Sequence, residues 1–387
     1  MISWARSKRT SLFVLLAAVA CSDSSGPTTI VNPSATIADL FAVDSAINTA
    51  PFRAIIDLSG FIALPSAPLP LARIAAALQY SLPPAPTGAL RGVMRRSPTP
   101  GTPRLPAGLL TGRPPVFPDS LLGLVFEWDP DSLHYASTSR TGAPLNGVRF
   151  ILYDTDSLTS YPDTGTEVGS LDIIDLAPAA GAQLRFLVRG VNDTPTFLDY
   201  SLTFLPGPSG ASVGADGFVS NGAGGGLERR FTFTADITFT ETAGGADQTV
   251  DFSYDYNVRN IAVDLHLASS DDTLQDSSIS VIDYRFARTN ENIRLVGADT
   301  ATAGGNTDVG QFVVTVNGHL YATLTTTNNT QVITDANGAV VPINGNDDHY
   351  EDTIFLALLF GVLYAAGTLG VVLAIPGFLL GFSFGLL

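Results

Sequence analysis

Phe231-Thr232-Phe233-Thr234-Ala235-Asp236-Ile237-Thr238-Phe239 places an apolar side chain at every odd position and a polar or small one between. Successive side chains of an extended strand point to opposite faces, so a period of two predicts a strand with one buried and one wet face. Ala243-Gly244-Gly245-Ala246 follows as a turn. Val250, Phe252, Tyr254, Tyr256 and Val258 then alternate in the same way, which predicts a long antiparallel hairpin. Working outward, Ile261, Val263, Leu265 and Leu267 continue the theme. Between Ile279 and Phe286 the apolar parity slips by one, from Ile279 and Val281 to Ile282, Tyr284 and Phe286, which predicts a bulge. Asn317-Gly318, between apolar runs at 312–316 and 319–324, is a type I′ hairpin signal, and Asn337-Gly338 reads as another tight turn. Earlier strands are predicted over 121–128, 148–153, 184–191 and 197–204.

The expected body is roughly nine or ten antiparallel strands, mostly joined to their neighbours, whose single apolar face must be covered. The fold class is therefore mainly β with flanking helices (α+β). It would be a large antiparallel curved sheet or open β-barrel, covered by N-terminal helices and an apolar C-terminal helix or helical hairpin. Residues 34–80 supply the first cover: Ser34 can cap a helix with Ile37, Leu40, Phe41 and Ile47 on one side. Pro51 ends that helix or opens a second turn, and 71–79 is an Ala-rich stretch with Leu71, Ile74, Ala75 and Leu78 at helical spacing. The β domain spans 119–343.

Upstream of the helices, residues 1–20 carry a basic opening (Arg6, Lys8, Arg9), an uncharged apolar core and small residues before Cys21, the only cysteine of the chain. This is the three-part layout of a secretory signal peptide, too short in its apolar core to span a membrane. Ala18-Val19-Ala20-Cys21 resembles the lipobox of bacterial lipoproteins, in which the cysteine thiol is lipidated and becomes the new N-terminus. The resemblance implies acylated Cys21, a polar tether over 21–33, and a membrane as partner. Several acyl chains anchor stably where one is marginal. In that sorting pattern, Asp after the cysteine retains the protein at the inner membrane. Ser22 stands there, so the resemblance implies the outer membrane of a bacterial cell envelope.

Of 387 residues, 36 are acidic and 20 basic, a net charge of −16, which disfavours nucleic acid as a partner. Residues 81–118 depart from this balance: ten prolines, no acid, and Arg91, Arg95, Arg96, Arg104 and Arg113. The segment reads as an extended linker, or as a contact surface for anionic headgroups, since the planar arginine fork binds two phosphate oxygens at once.

After the acidic hinge 344–352 the chain is uncharged from Thr353 to Leu387. Ile354 to Ile375 is long enough to cross a bilayer, since about 20 apolar residues suffice. Gly377, Gly381 and Gly385 then lie four apart, a spacing that lets helices approach closely. Three arrangements fit 353–387: a transmembrane helix, a helical hairpin broken at Pro376-Gly377 and buried against the sheet, or a hairpin that inserts into a target membrane. No Arg or Lys follows the span to orient it, which weighs against the first.

Signs of catalysis are sparse. His134, His266, His319 and His349 are scattered, and no zinc-protease, nucleophile-elbow or phosphate-loop pattern occurs. Asn344, Asn346, Asp347, Asp348, Glu351 and Asp352 offer hard oxygens suited to calcium, but out of EF-hand order, so a solvated hinge is the plainer reading. No cofactor is expected. The sequence points to a non-enzymatic envelope lipoprotein that binds or shelters an apolar ligand or membrane component. The alternatives are a structural or interaction module with protein partners, and a hydrolase with dispersed catalytic residues.

Overall fold

Among the described residues, sixteen strands join edge to edge in a single sheet. They are β1 Val125–Asp129, β2 His134–Thr138, β3 Gly147–Thr155, β4 Pro162–Asp175, β5 Ala182–Gly190, β6 Thr196–Gly207, β7 Gly210–Ser220, β8 Arg230–Thr242, β9 Gly245–Tyr256, β10 Ile261–Asp272, β11 Ser277–Arg288, β12 Glu291–Thr302, β13 Val309–Val316, β14 His319–Thr327, β15 Thr330–Asp335 and β16 Val340–Val341. The computed structural model describes residues 49–58, 117, 119–155, 161–176, 181–207, 209–228, 230–257, 260–272, 277–302, 309–327 and 330–341.

From β3 to β16 every strand pairs antiparallel with its sequence neighbours, while β1 lies parallel to β3 and carries β2 as the outermost strand. The two ends of the order, β2 and β16, do not pair, so the sheet is open. Tight turns explain the up-and-down course. The β8–β9 hairpin closes through Ala243-Gly244, with Thr242 opposite Gly245, and its register runs in step with every ladder from β6 to β13. Asn317 and Gly318 both take positive φ, 50° and 85°, the backbone a type I′ turn requires, and they join Val316 to His319.

One face of the sheet is the core. Phe231, Phe233, Ala235 and Ile237 of β8 are buried there, as are Phe252 and Tyr254 of β9, Val263 and Leu265 of β10, and Phe286 of β11. Each such large side chain contributes about 1.5–3 kcal/mol by leaving water. Rings run along this face in a chain of contacts: Phe186–Tyr200 (5.0 Å), Tyr200–Phe233 (5.9 Å), Phe233–Phe231 (5.7 Å) and Phe231–Tyr254 (4.7 Å). The helix α1, Ala50–Leu58, has Pro51 in its first turn, where no intrahelical donor is lost, and buries Ala54, Ile55 and Leu58. It packs on β3, β4 and β5. Pro51 therefore opens a helix.

Three expectations are corrected. Among the described residues the sheet has sixteen strands, not nine or ten: β2, β4, β7, β12, β15 and β16 have weak or glycine-broken patterns, and the ladders beside them recruit them, on one side only for the end strands β2 and β16. The predicted 121–128 strand begins only at Val125, because Asp119–Leu121 is a 3-10 turn. No bulge interrupts β11, whose register with β10 and β12 is unbroken. The parity slip has another cause: Ile279 and Val281 point to the outer face, 42% and 38% exposed, while Ser278 and Ser280 share the parity of Ile282. Within the described residues α1 is the α-helix seen. The predicted helices around 35–47 and 71–79, the linker 81–118 and the tail 353–387 lie outside them.

Candidate functional site

The two faces of the sheet offer two different chemistries. On the inner face, the middle of β9 to β12 is apolar, and it turns polar towards one end. Along β11 the inner sequence runs Phe286, Tyr284, Ile282, Ser280, Ser278; along β10, Leu267 gives way to Ser269; along β9, Val250 gives way to Gln248. Tyr284 and Tyr254 stand on this face as diagonal neighbours, Tyr284 opposite Leu265 and Tyr254 opposite Val263. Burial raises both phenols above their ordinary range, and the nearby Tyr254 raises Tyr284 further. Both therefore remain protonated hydrogen-bond donors near neutral pH. Among the described residues the Tyr284 hydroxyl finds no partner.

The outer face of β8 to β12 carries an open groove of about 580 Å³ lined by charged and hydroxyl side chains. Register places Asp236, Asp251, His266 and Asp283 in one row across four strands. His266 Nδ1 meets Asp251 Oδ1 at 2.5 Å. Arg294 donates to both oxygens of Asp283 (2.9 and 2.6 Å), and Arg285 donates to Asn292 Oδ1 (3.2 Å) and lies 3.7 Å from Asp264. Asp236 and Asp251 face each other, an unfavourable cross-strand pairing of like charges. Acyl transfer would need a nucleophile held by a base. The Thr234 and Ser253 hydroxyls instead lie 2.7 Å from each other. The groove presents charged and hydroxyl groups that can meet a polar ligand, with the Thr234 and Ser253 hydroxyls hydrogen-bonded to each other.

Of the residues singled out in the sequence, Cys21, the arginines Arg91, Arg95, Arg96, Arg104 and Arg113, and the oxygen-rich set Asn344, Asn346, Asp347, Asp348, Glu351 and Asp352 all lie outside the described residues. Among the described residues no group of three or more His, Cys, Asp or Glu is placed to hold a metal ion, and no helix is long and apolar enough to cross a membrane. His266 sits on the polar side of its strand, as its place between Leu265 and Leu267 predicts. His134 bonds locally to the Ser132 carbonyl (3.1 Å), and His319 closes the β13–β14 hairpin. The Gly222–Gly226 stretch forms a 3-10 turn rather than a cradle opening a helix.

Sequence reasoning missed the outer row. Its signal was present in the even positions of β8 and β10 and the odd positions of β9 and β11, but only register brings those residues together. Tyr284 was visible as one more apolar-parity residue, with nothing to mark its hydroxyl as unmet. No family model matches the chain, and no curated protein or solved structure is similar to it.

Proposed function

We propose that this chain is a non-enzymatic lipoprotein of the bacterial cell envelope, held to the outer membrane through acylated Cys21, whose sheet shelters an apolar ligand or membrane component on its inner face. The observation that carries this reading is the inner face itself: a continuous run of buried aromatic and aliphatic side chains on an open sheet. An apolar face of that extent is stable only under an apolar cover. Helix α1 serves β3 to β5. For the remainder, the proposed covers are further helices from 34–80 and the uncharged 353–387 tail. A ligand would lie between sheet and cover.

Membrane fractionation of Cys21→Ala, with and without residues 353–387, tests the anchor. Release by Cys21→Ala alone supports a lipid anchor with the tail inside the fold, and release only by the double change makes the tail a second anchor. Retention of both variants overturns the placement. Native mass spectrometry of the detergent-purified protein tests the ligand: co-purified lipid is expected, and its absence counts against sheltering.

A second reading, an envelope interaction module, draws on the outer face. There the charged groove adjoins an uncharged patch that includes Ile279, Val281 and Val309. It predicts co-purifying protein partners and no lipid. Ester, glycoside and peptide substrates left intact by the purified protein would dispose of the hydrolase alternative.

A further inference from the structure

We propose that the groove on the outer face of β8 to β12 is a binding site for a hydroxylated monoammonium ligand, of the class of an amino sugar. The groove is open to water, about 580 Å³ in volume, and lined by described residues. That volume suits a small molecule. The proposal goes beyond the inner-face reading and does not depend on it.

Charge in the groove is unevenly spread, and this selects the ligand's cation. Four aspartates line it against two arginines. On the β11–β12 side the charges are matched: Arg294 donates to both oxygens of Asp283, and Arg285 lies 3.7 Å from Asp264. On the β8–β9 side they are not. Asp236 and Asp251 stand opposite each other in register, and among the described residues Asp236 has no hydrogen-bond or ion-pair partner. His266 donates from Nδ1 to Asp251, which orients that carboxylate without adding a fixed positive charge. Facing like charges destabilise a strand pair, and an ammonium ion set between them turns the repulsion into attraction. The end of this row is also open, because the β7 residue in register with Asp236 is Gly214, which has no side chain to fill the space.

The same unevenness limits the ligand to one cation. A second ammonium carried further along the groove would meet Arg285 and Arg294. A carboxylate or phosphate would find those guanidinium groups already held by Asp264 and Asp283.

Neutral hydrogen bonding is what the rest of the lining offers. Beside the acid pair, Thr234 and Ser253 share one bond (2.7 Å), and each hydroxyl can make others. On the far side Asn292 accepts from Arg285 through Oδ1 (3.2 Å), which leaves its amide N–H groups to donate to a ligand oxygen. At the usual strand spacing the groove runs roughly 19 Å from β8 to β12, long enough for an amine at one end and hydroxyls over the remainder.

The test uses the full-length lipidated protein in a zwitterionic detergent at low salt, with binding and its location read by NMR titration. Glucosamine is the probe, N-acetylglucosamine the neutral control and spermidine the polycation control. Glucosamine should shift the amides of residues 251–253 and 264–266, and its binding should weaken as salt rises. The two controls should perturb those amides less. Asp236→Asn should weaken glucosamine about threefold, the effect of one exposed ion pair, and Asp236→Asn combined with Asp251→Asn about tenfold. Asp163→Asn, which alters an exposed carboxylate on β4 outside the groove, should change nothing. Equal binding of the two sugars, or an equal loss in Asp163→Asn, overturns the proposal, because the groove then does not hold the ammonium. Spermidine bound there as tightly as glucosamine overturns it too, making the groove a general cation surface. So does a wild type that binds no glucosamine or shows its shifts elsewhere. Should the Asn variants fail to fold, the position of the wild-type shifts and the ranking of the three probes decide.

Discussion

Tyr200 on β6 and Phe233 on β8 touch across an intervening strand, their ring centroids 5.9 Å apart, because the β7 residue in register with both is Gly217. Any side chain there would separate the rings. A Cβ on Gly217 would fall inside contact distance of the Tyr200 side chain and the Asp199 carbonyl. Gly217→Val should therefore overpack the inner face and cost about 1–3 kcal/mol. A lower urea midpoint with loss of near-ultraviolet aromatic dichroism is expected; an unchanged midpoint would show that β7 does not set this spacing.

Asp172 is the polar counterpart on the other face. It is 3% exposed, and it receives both forks of Arg149 (2.6 and 2.8 Å) and a third donor from Arg189. Arg149 is held above its ordinary range chiefly by that hydrogen bond. Removing the carboxylate leaves two mostly buried guanidinium groups with only the half-exposed Asp193. Asp172→Asn should cost about 3 kcal/mol, the range for breaking a buried pair. The open pair Arg185–Asp199 is the control, and Asp199→Asn should cost under about 1 kcal/mol. Equal losses in the two denaturation curves would sink the argument from burial.

These two sites show what the chain disclosed in advance. The alternation of 231–239 and 250–256, and the Asn317-Gly318 turn, are local signals, and the structure follows them residue by residue. β7, with glycines at 210, 214 and 217, carries little strand preference; it exists because β6 and β8 offer ladders on both sides. Arg149 and Asp172 are 23 residues apart and meet only through register. The unmet Tyr284 hydroxyl was equally hidden, since it depends on what does not surround it.

Buried phenols make the fold sensitive to alkali. Desolvation pushes Tyr153 up to about 12, with Glu127 and Glu167 adding to it, and it raises Tyr200, Tyr254 and Tyr284 too. Above pH ~10 the unfolded tyrosines ionise while the folded ones stay neutral, so the unfolded state gains. Stability is thus full below pH ~10 and falls as pH rises through the folded values, by up to about 1.4 kcal/mol per unit for each protected phenol. A phenolate absorbance titration should show a late, cooperative step coincident with unfolding. A smooth titration near pH ~10 would mean these hydroxyls are open to water.

Asp335 is expected to hold the last turn of the sheet. Its Oδ1 accepts from the backbone N–H of Asn337 (2.9 Å) and of Ala339 (2.8 Å), and these bonds, the Ala339 one foremost, keep its carboxyl below the usual range. The turn they fold returns the chain so that Val341 lies opposite Ile333. A depressed carboxylate contributes above its unfolded value, near pH ~3.9, and loses that contribution as pH falls through the folded value. Asp335→Ala should therefore free β16 without unfolding the sheet, because only two residues of ladder depend on the turn. Amide exchange is the measure. Faster exchange confined to residues near 333–341 is expected at neutral pH, with wild type approaching the variant as pH drops below ~4 once intrinsic exchange rates are corrected. Unaltered exchange in Asp335→Ala would mean that Gly338, at φ 81°, makes the turn without the carboxylate.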